Sequence, residues 1–400
     1  MNIHRILIII LCIGALISCD DESSDFGLAH TFVKFYGDVN TNSGIKALPT
    51  ADGGYIVLGE TIFGDTATSA HLFKTNQFGN EEWSLVIDED NLNSAKDMLI
   101  DDDGSYLILV DGFELTAGNQ RNFDIKLVRV SPTGTVVGTE IFDSDGLGTY
   151  EEKGNGITKA ADGGYFIIGS TNNTAGGDLD MYVLRLDDAL NVLWDKVYGN
   201  VNGLEDIGTN LLEDATGNLI WLGTEQVNAT NTRVRMVKTN SLGNILWDFN
   251  YPVVENNTIV NGKSASGGLI SLNNGYVFTG SHSSRGVILA KVDGDGAQQW
   301  FRQFSQNMGA EGRALALGTD NTLLIAGKTS GTEASNMMLL KTDIQGLFIW
   351  SNTFGSTGIN AANSVAATPD GGIIIAGDGA FDANQMMNLI KTTQDGITSE

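Results

Sequence analysis

The stretch Asp162-Gly163-Gly164-Tyr165-Phe166-Ile167-Ile168-Gly169 is the part of the sequence from which the fold can be worked out. Asp accepts hydrogen bonds from nearby backbone amides and Gly tolerates positive φ, so its first residues predict a tight turn. The following run of apolar, aromatic and β-branched residues predicts a short strand. Two close copies lie at Asp52 to Gly59 and Asp370 to Gly377. Four looser copies lie at Asp103 to Gly112, Gly217 to Gly223, Asn274 to Gly280 and Asn321 to Gly327.

Each copy is followed by another apolar strand that ends in a basic residue, and in five units a Trp lies nine residues further on. The basic residues are Lys74, Arg129, Arg185, Lys238, Lys291, Lys341 and Lys391, and the tryptophans are Trp83, Trp194, Trp247, Trp300 and Trp350. A cation repeated at one strand position predicts a structural partner, either a carboxylate or a turn carbonyl. Tryptophans at equivalent positions predict packing between units, with a row of sugar-stacking platforms as the alternative.

A strand rich in small residues precedes each turn, so every unit contains four short strands in a repeat of about 50 residues. Such a repeat indicates a β-propeller or a solenoid. The seventh unit stops before its last strand, whereas residues 30–37 end in the same Tyr-Gly as Trp194 to Gly199. An N-terminal strand that completes the last blade closes a ring without an open sheet edge. The sequence therefore predicts an all-β, seven-bladed β-propeller of four-stranded blades over residues 30–400.

These units resemble the Gly-rich β-propeller repeats of bacterial exported lipoproteins, with the running pattern DGGY, apolar residues and Gly, then a basic residue, Gly-Asn and Trp. The resemblance covers about residues 31–396. It implies a propeller scaffold and no particular activity, because one fold supports many functions.

Residues 1–18 have the character of a signal peptide, since their apolar run is shorter than the ~20 residues of a membrane span. The run ends in Leu16-Ile17-Ser18-Cys19, which resembles the lipobox of bacterial lipoproteins and implies lipidation of Cys19. Cys12 would leave with the signal peptide, so no disulfide is expected. Residues 19–29 then form an acidic tether. We expect a cell-envelope protein held by its lipid, with the outer membrane favoured. Retention in the inner membrane, whose signal an Asp directly after the Cys resembles, and exposure on the cell surface are both left open.

The formal charge of −26 argues against nucleic acid as a partner, because phosphate binding needs a basic surface. The chain has four His and no zinc-binding spacing, and its Asp-Gly turns lack the full oxygen set of a calcium loop. The sequence therefore predicts no cofactor. Two acidic residues on one long connection, Asp143 and Asp145, are weak candidates for a cation site.

The connections between the second and third strands, and those between blades, vary most in length. They share one face of a propeller, and variable loops on a rigid scaffold are where binding residues gather. The predicted ligand-binding residues on this face are Phe63, Phe113, Tyr150, Glu151, Glu152 and Tyr251, with Asp88, Glu89 and Asp90 at the rim.

Three functions fit these features. The first is a non-catalytic envelope lipoprotein that presents its propeller to a glycan or an envelope protein, as a binding or scaffold module. The second is a glycan-active hydrolase or lyase that uses carboxylates on the long-loop face. The third is a structural subunit of an outer-membrane complex, which a broad exposed apolar patch would favour.

Overall fold

The computed structural model describes residues 30–398 apart from fifteen gaps, and these residues form seven four-stranded antiparallel sheets without a helix. The gaps are 38–39, 64–66, 88–92, 116–120, 145–148, 174–176, 200–203, 229–230, 252–266, 283–285, 305–309, 330, 332–333, 356–357 and 382–383, and residues 1–29 and 399–400 also lie outside the description. No helix able to cross a membrane occurs among the described residues.

The first four blades are continuous in the chain, and each is named from its innermost strand outward. Blade 1 contains β2 (Thr41–Pro49), β3 (Tyr55–Phe63), β4 (Ala67–Thr75) and β5 (Glu81–Ile87). Blade 2 contains β6 (Asn93–Ile100), β7 (Tyr106–Leu115), β8 (Arg121–Val130) and β9 (Val136–Phe142). Blade 3 contains β10 (Glu152–Lys159), β11 (Tyr165–Thr171), β12 (Asp180–Leu186) and β13 (Val192–Tyr198). Blade 4 contains β14 (Asp206–Glu213), β15 (Leu219–Asn228), β16 (Asn231–Thr239) and β17 (Ile245–Tyr251).

Blades 5 and 6 are also continuous in the chain, and blade 7 combines its two ends. Blade 5 contains β18 (Gly267–Ser271), β19 (Gly275–His282), β20 (Gly286–Asp293) and β21 (Gln298–Phe304). Blade 6 contains β22 (Glu311–Leu317), β23 (Leu323–Lys328), β24 (Met337–Thr342) and β25 (Phe348–Phe354). Blade 7 contains β26 (Ala361–Ala367), β27 (Ile373–Phe381), β28 (Asn384–Thr392) and, outermost, β1 (Phe32–Tyr36). The prediction of a seven-bladed propeller is confirmed.

The predicted closure of the ring by the N-terminal strand is also confirmed. β1 pairs antiparallel with β28, from Phe32 opposite Lys391 to Tyr36 opposite Met387. The Tyr36 hydroxyl donates to the carbonyl of Gly79 in blade 1 at 2.6 Å. The Tyr198 hydroxyl makes the equivalent bond from blade 3 to Gly243 of blade 4, also at 2.6 Å. β1 therefore takes the same place as the outermost strands of the other blades.

In blade 2 the match between the repeated stretch of sequence and the strand pairing differs from that in blade 1. In blade 1, Gly44 lies opposite Gly59, the last residue of the repeated stretch. Ala95 is the counterpart of Gly44 in blade 2, and it lies opposite Val110, not opposite Gly112. The stretch ending in Gly112 is thus two residues longer than its counterparts. Because side chains alternate across a strand, the shift of two keeps every side chain on its predicted face.

The repeated Trp packs between blades, as predicted. Trp83 is part of a core cluster formed by blades 1 and 2, and its ring lies 6.1 Å from that of Tyr106. The turn of the following blade covers the ring: a Cβ on Gly243 would lie 3.2 Å from Trp194, and one on Gly346 would lie 2.9 Å from Trp300. Trp221, which departs from the series, is also buried in the core.

The repeated basic residue pairs with the Asp of its own blade's first turn, which confirms the predicted structural role. Lys74 Nζ lies 2.7 Å from Asp52 and Lys341 Nζ lies 2.7 Å from Asp320. Equivalent pairs are Arg129 with Asp101, Arg185 with Asp162, Lys238 with Asp214 and Lys391 with Asp370. Blade 5 differs because its turn contains Asn273 and Asn274, and no ion pair joins Lys291 to another described residue.

Candidate functional site

The seven innermost strands surround a central cavity of about 590 Å³. In every blade the pairing of the innermost strand with the second strand shifts register at a β-bulge. The bulge residues are Ile45, Lys96, Asn155, Thr209, Gly268, Arg313 and Asn363. Each of them and its successor in the chain line the cavity. A bulge redirects side chains, so here a repeated backbone feature turns polar groups toward the axis of the ring.

The cavity wall is rich in hydrogen-bonding groups whose charges are largely paired. Lys46 Nζ lies 2.5 Å from Asp97 of the neighbouring blade. Lys96 Nζ lies 3.2 Å from the buried Asp111. Arg313 lies 3.0 Å from Glu311 and donates to Asn363 Oδ1 at 2.7 Å. The wall therefore presents both donors and acceptors without a large net charge.

One buried polar atom of the cavity wall, Oδ1 of Asn210, has no hydrogen-bond partner among the described residues. Buried acceptors in folded proteins are nearly always satisfied by protein, water or ligand. Other polar residues that follow a bulge are engaged; for example, Ser364 Oγ accepts the backbone N–H of Ala47 at 3.2 Å. Asn210 is therefore a wall residue whose amide oxygen would gain a hydrogen bond by turning toward the cavity.

Three carboxylates meet where blades 2 and 3 adjoin. Oxygens of Asp124, Asp143 and Glu152 lie within 4.8 Å of one another. Glu152 Oε1 accepts hydrogen bonds from Ser144 at 2.5 Å and Thr171 at 3.1 Å. Calcium takes six to eight oxygens, so these three would form only part of a calcium shell.

This cluster contains one of the two residues predicted for a cation site. Asp143 belongs to it, whereas the other predicted residue, Asp145, lies outside the described residues. Asp124 was not predicted, because it lies far from Asp143 in the chain. Strand pairing is the signal that could have found it. Ile125 lies opposite Phe142 in the antiparallel pair, so Asp124 and Asp143 are neighbours across the two strands.

The predicted ligand-binding residues are dispersed. Phe63 is exposed at the end of β3, and Tyr150 and Glu151 are half-buried before β10. Tyr251 is 1% exposed and its hydroxyl donates to the carbonyl of Gly296, in the same way as Tyr36, so it offers no surface to a ligand. Glu152 is also fully buried, because its carboxylate is drawn inward by Ser144 and Thr171.

The remaining predicted residues lie partly or wholly outside the residues that the structure describes. Phe113 lies in β7, and its side chain is outside the described part of the chain. Asp88, Glu89 and Asp90 are outside the described residues, as is Cys19.

Asp180, at the start of β12, is a carboxyl group suited to proton transfer near neutral pH. Burial, together with the negative charge of Asp178, raises its pKa to about 6, although Arg235 acts in the opposite direction. Acids with a pKa near the working pH are the ones that enzymes use to protonate a leaving group. Sequence reasoning missed Asp180, since an acidic residue among 49 gives no local signal.

No protein-family model matches the sequence, and no curated protein matches it. Solved structures do match the fold. A protein of unknown function from Dyadobacter fermentans has a TM-score of 0.51 at 11% identity, covering 90% of this chain and 99% of that one. The periplasmic gluconolactonase of Pseudomonas aeruginosa has a TM-score of 0.51 at 12% identity, covering 79% and 85%.

An ulvan lyase of a polysaccharide lyase family has a TM-score of 0.50 at 12% identity, with 90% of this chain and 96% of that chain covered. Structural neighbours of this protein thus include glycan-active propeller enzymes. At such low identity the likeness shows the fold alone, because propellers of one architecture carry unrelated sites.

Proposed function

We propose that this protein is a lipid-anchored cell-envelope protein whose propeller binds a glycan at the polar central cavity. The observation that carries the proposal is the set of polar side chains that the bulges of six blades turn toward the axis. The lipid anchor rests on the lipobox-like sequence that ends in Cys19.

The cavity has the size and chemistry that a short stretch of sugar requires. A volume of about 590 Å³ falls within the range of small-molecule sites. Sugar hydroxyls both donate and accept, which matches a wall containing amides, hydroxyls and paired charges. The buried acceptor of Asn210, which has no described partner, would supply one specific contact for a ligand hydroxyl once its amide turns toward the cavity.

The test is a glycan array followed by calorimetric titration of the retained glycan. The Asn210→Leu variant should bind about tenfold more weakly or worse, since a ligand hydroxyl would lose its acceptor. Asn250→Leu is the matched control, because Asn250 Oδ1 is also buried without a described partner but lies in the outermost strand of the same blade. Equal affinity in Asn210→Leu and the wild type would overturn the cavity as the site.

A second candidate function is cleavage of a glycan on the long-loop face, where Asp180, whose pKa is raised, lies at the start of β12 and outside the lining of the central cavity. The same titrations distinguish the two functions if the retained glycan is analysed for products. Intact glycan after long incubation supports binding alone. Products that disappear in the Asp180→Asn variant, with glycan binding unchanged, would replace the binding function by an enzymatic one.

A further inference from the structure

The outermost strand of every blade except blade 2 places an aromatic ring opposite the repeated basic residue. Lys74 faces Trp83, and Lys391 faces Phe32 of β1. In blade 2 the residue opposite Arg129 is Gly138. The remaining pairs are Arg185 with Trp194, Lys238 with Trp247, Lys291 with Trp300 and Lys341 with Trp350.

In the complete blades this ring fills a slot between two blades. The basic residue forms one side, as in blade 6, where Lys341 Nζ lies 5.7 Å from the centre of the Trp350 ring. The last turn of the following blade forms the other side, with its glycine directly against the ring, as Gly396 lies against Trp350. Apolar contact and cation–π attraction both stabilise an aromatic ring in such a place.

In blade 2 the slot is open. A Cβ added to Gly138 would meet no atom within 4 Å. A surface cavity of about 490 Å³ takes the place of the ring, and Arg129 and Tyr165 line it on the side of the basic residue. Its wall also contains the carboxylates of Asp101, Asp102, Asp103, Glu140 and Asp188, and the side chain of Leu190.

The opposite wall carries a second departure from the repeat. Leu190 takes the turn position that Gly243 occupies in blade 4, with the same amide bond three residues back and a φ of 66°. Among the described residues, only Gly and Asn otherwise adopt positive φ. A branched residue is strained there, and strain of this kind is concentrated at functional sites. The Leu190 side chain gives the open slot an apolar wall.

The rim of the slot is acidic. Five acidic residues and one basic residue line it, and Arg129 is already held by Asp101 at 2.6 Å. A second cavity of about 530 Å³ shares Asp102 and Asp188 with the first and adds Glu213 and Lys159, and Lys159 pairs with Asp101 and Asp102. The two adjoining cavities form a groove in which six acidic residues outnumber Arg129 and Lys159, so its charge favours cationic residues beside an inserted ring.

We propose that this groove binds a partner polypeptide through an aromatic side chain that is flanked by Lys or Arg. The partner's ring takes the slot that a residue of the chain itself fills in the other six blades, and its basic neighbours meet the acidic rim. The site lies at the turn end of blades 2 and 3 and is separate from the central cavity, so it does not depend on the proposed glycan function.

The test uses the peptide acetyl-Lys-Trp-Lys-amide, made with fluorotryptophan and followed by fluorine NMR during titration with the protein. We expect the fluorine signal to broaden and shift in a saturable way, and the same peptide with Glu in place of Lys to bind about tenfold more weakly. The Gly138→Trp/Leu190→Gly variant gives the slot between blades 2 and 3 the Trp and the turn Gly that the complete slots contain. It should abolish the peptide signal while its melting temperature stays equal or rises.

Two further variants keep the test decisive. Gly138→Leu narrows the slot with a smaller side chain and should also weaken peptide binding, in case the double variant fails to fold. Leu193→Trp adds an indole at an exposed position of β13 outside the groove, and it should leave binding unchanged. No saturable signal with the wild type, or an undiminished one in a folded Gly138→Trp/Leu190→Gly or Gly138→Leu variant, would overturn the proposal.

Discussion

At the level of single residues, an ion pair between the third strand and the first turn stabilises six of the seven blades. In blade 4, Lys238 lies 3.0 Å from Asp214, and both side chains are about 10% exposed. The hydroxyl of Tyr276 in blade 5 is bonded to both of them, at 3.0 Å from Lys238 and 2.8 Å from Asp214. One buried cation thus joins a turn, a strand and the next blade.

Replacing Lys238 by Met should therefore destabilise the fold strongly. Removing one member of a buried ion pair leaves its partner uncompensated, which costs about 3 kcal/mol or more. The free energy of unfolding in urea measures the effect. Lys291→Met is the matched control at the same register of blade 5, where the turn contains Asn in place of Asp, and it should cost less than about 1 kcal/mol. Equal losses in the two variants would contradict the role given to the carboxylate.

At the scale of strands and turns, the features predictable from sequence were those that recur. The basic residues and Trp recur at a fixed spacing, so their pairing and packing followed from the repeat alone. The bulges recur as well, yet the residue at the bulge ranges from Gly268 to Arg313 and carries no common side-chain signature. A bulge is a property of backbone register, which a single sequence does not show. The central cavity therefore emerged only from the structure.

Departures from the repeat were visible in the sequence, but their consequence was not. The absence of Trp from blade 2 could be read directly at Gly138, whereas the groove it opens depends on the turn of blade 3. That turn contains Leu190 at a position with positive φ, a backbone conformation that favours Gly. The two departures meet in space because adjacent blades pack side by side, and nothing in the local sequence links them.

The strand β1 offers a direct test of ring closure. Deleting residues 30–37 removes Phe32 and Tyr36 from the core between blades 7 and 1 and leaves β28 as an open edge. Loss of one buried and one partly buried aromatic ring costs on the order of 5 kcal/mol, a large share of the stability of a domain. Thermal melting should show a strongly lowered or absent transition.

A peptide of residues 30–37 supplies the control for that deletion, because its addition should restore part of the lost melting temperature. Tyr36→Phe provides a graded comparison, since it removes only the hydrogen bond to Gly79 and should cost about 1 kcal/mol. A deletion variant that melts like the full chain would show that the ring does not need β1.

For the molecule as a whole, the repeated ion pairs stabilise the fold at neutral pH and make it sensitive to acid. Burial alone would raise the pKa of Asp52, but hydrogen bonds from Lys74, Thr50 and the Gly54 amide outweigh it and hold the pKa at about 2. The pKa values of Asp101, Asp214, Asp320 and Asp370 are lowered for the same reasons. A lowered pKa stabilises the folded state above the ordinary value near 4, and this contribution is lost as the pH falls through the folded pKa.

A second group of carboxyls acts in the opposite sense. Burial raises the pKa of Glu60, Asp111 and Asp378, and that of Asp180 to about 6. Their contribution to stability is complete below the ordinary pKa and is lost as the pH rises through the folded pKa. A charge of −26 adds repulsion that also diminishes on acidification.

The two groups together predict a stability maximum on the acid side of neutrality. The melting temperature should rise from neutral pH to about pH 5, while the raised carboxyls take up protons, and should fall below about pH 4 as the Asp52 class is protonated. Calorimetry across this range measures the profile. The Asp180→Asn variant should flatten the upper limb, because the variant side chain carries no charge to desolvate, and should leave the lower limb unchanged. A melting temperature that falls steadily from neutral pH downward would mean that the buried carboxyls are compensated in the folded state, against the burial seen for Asp111 and Asp180.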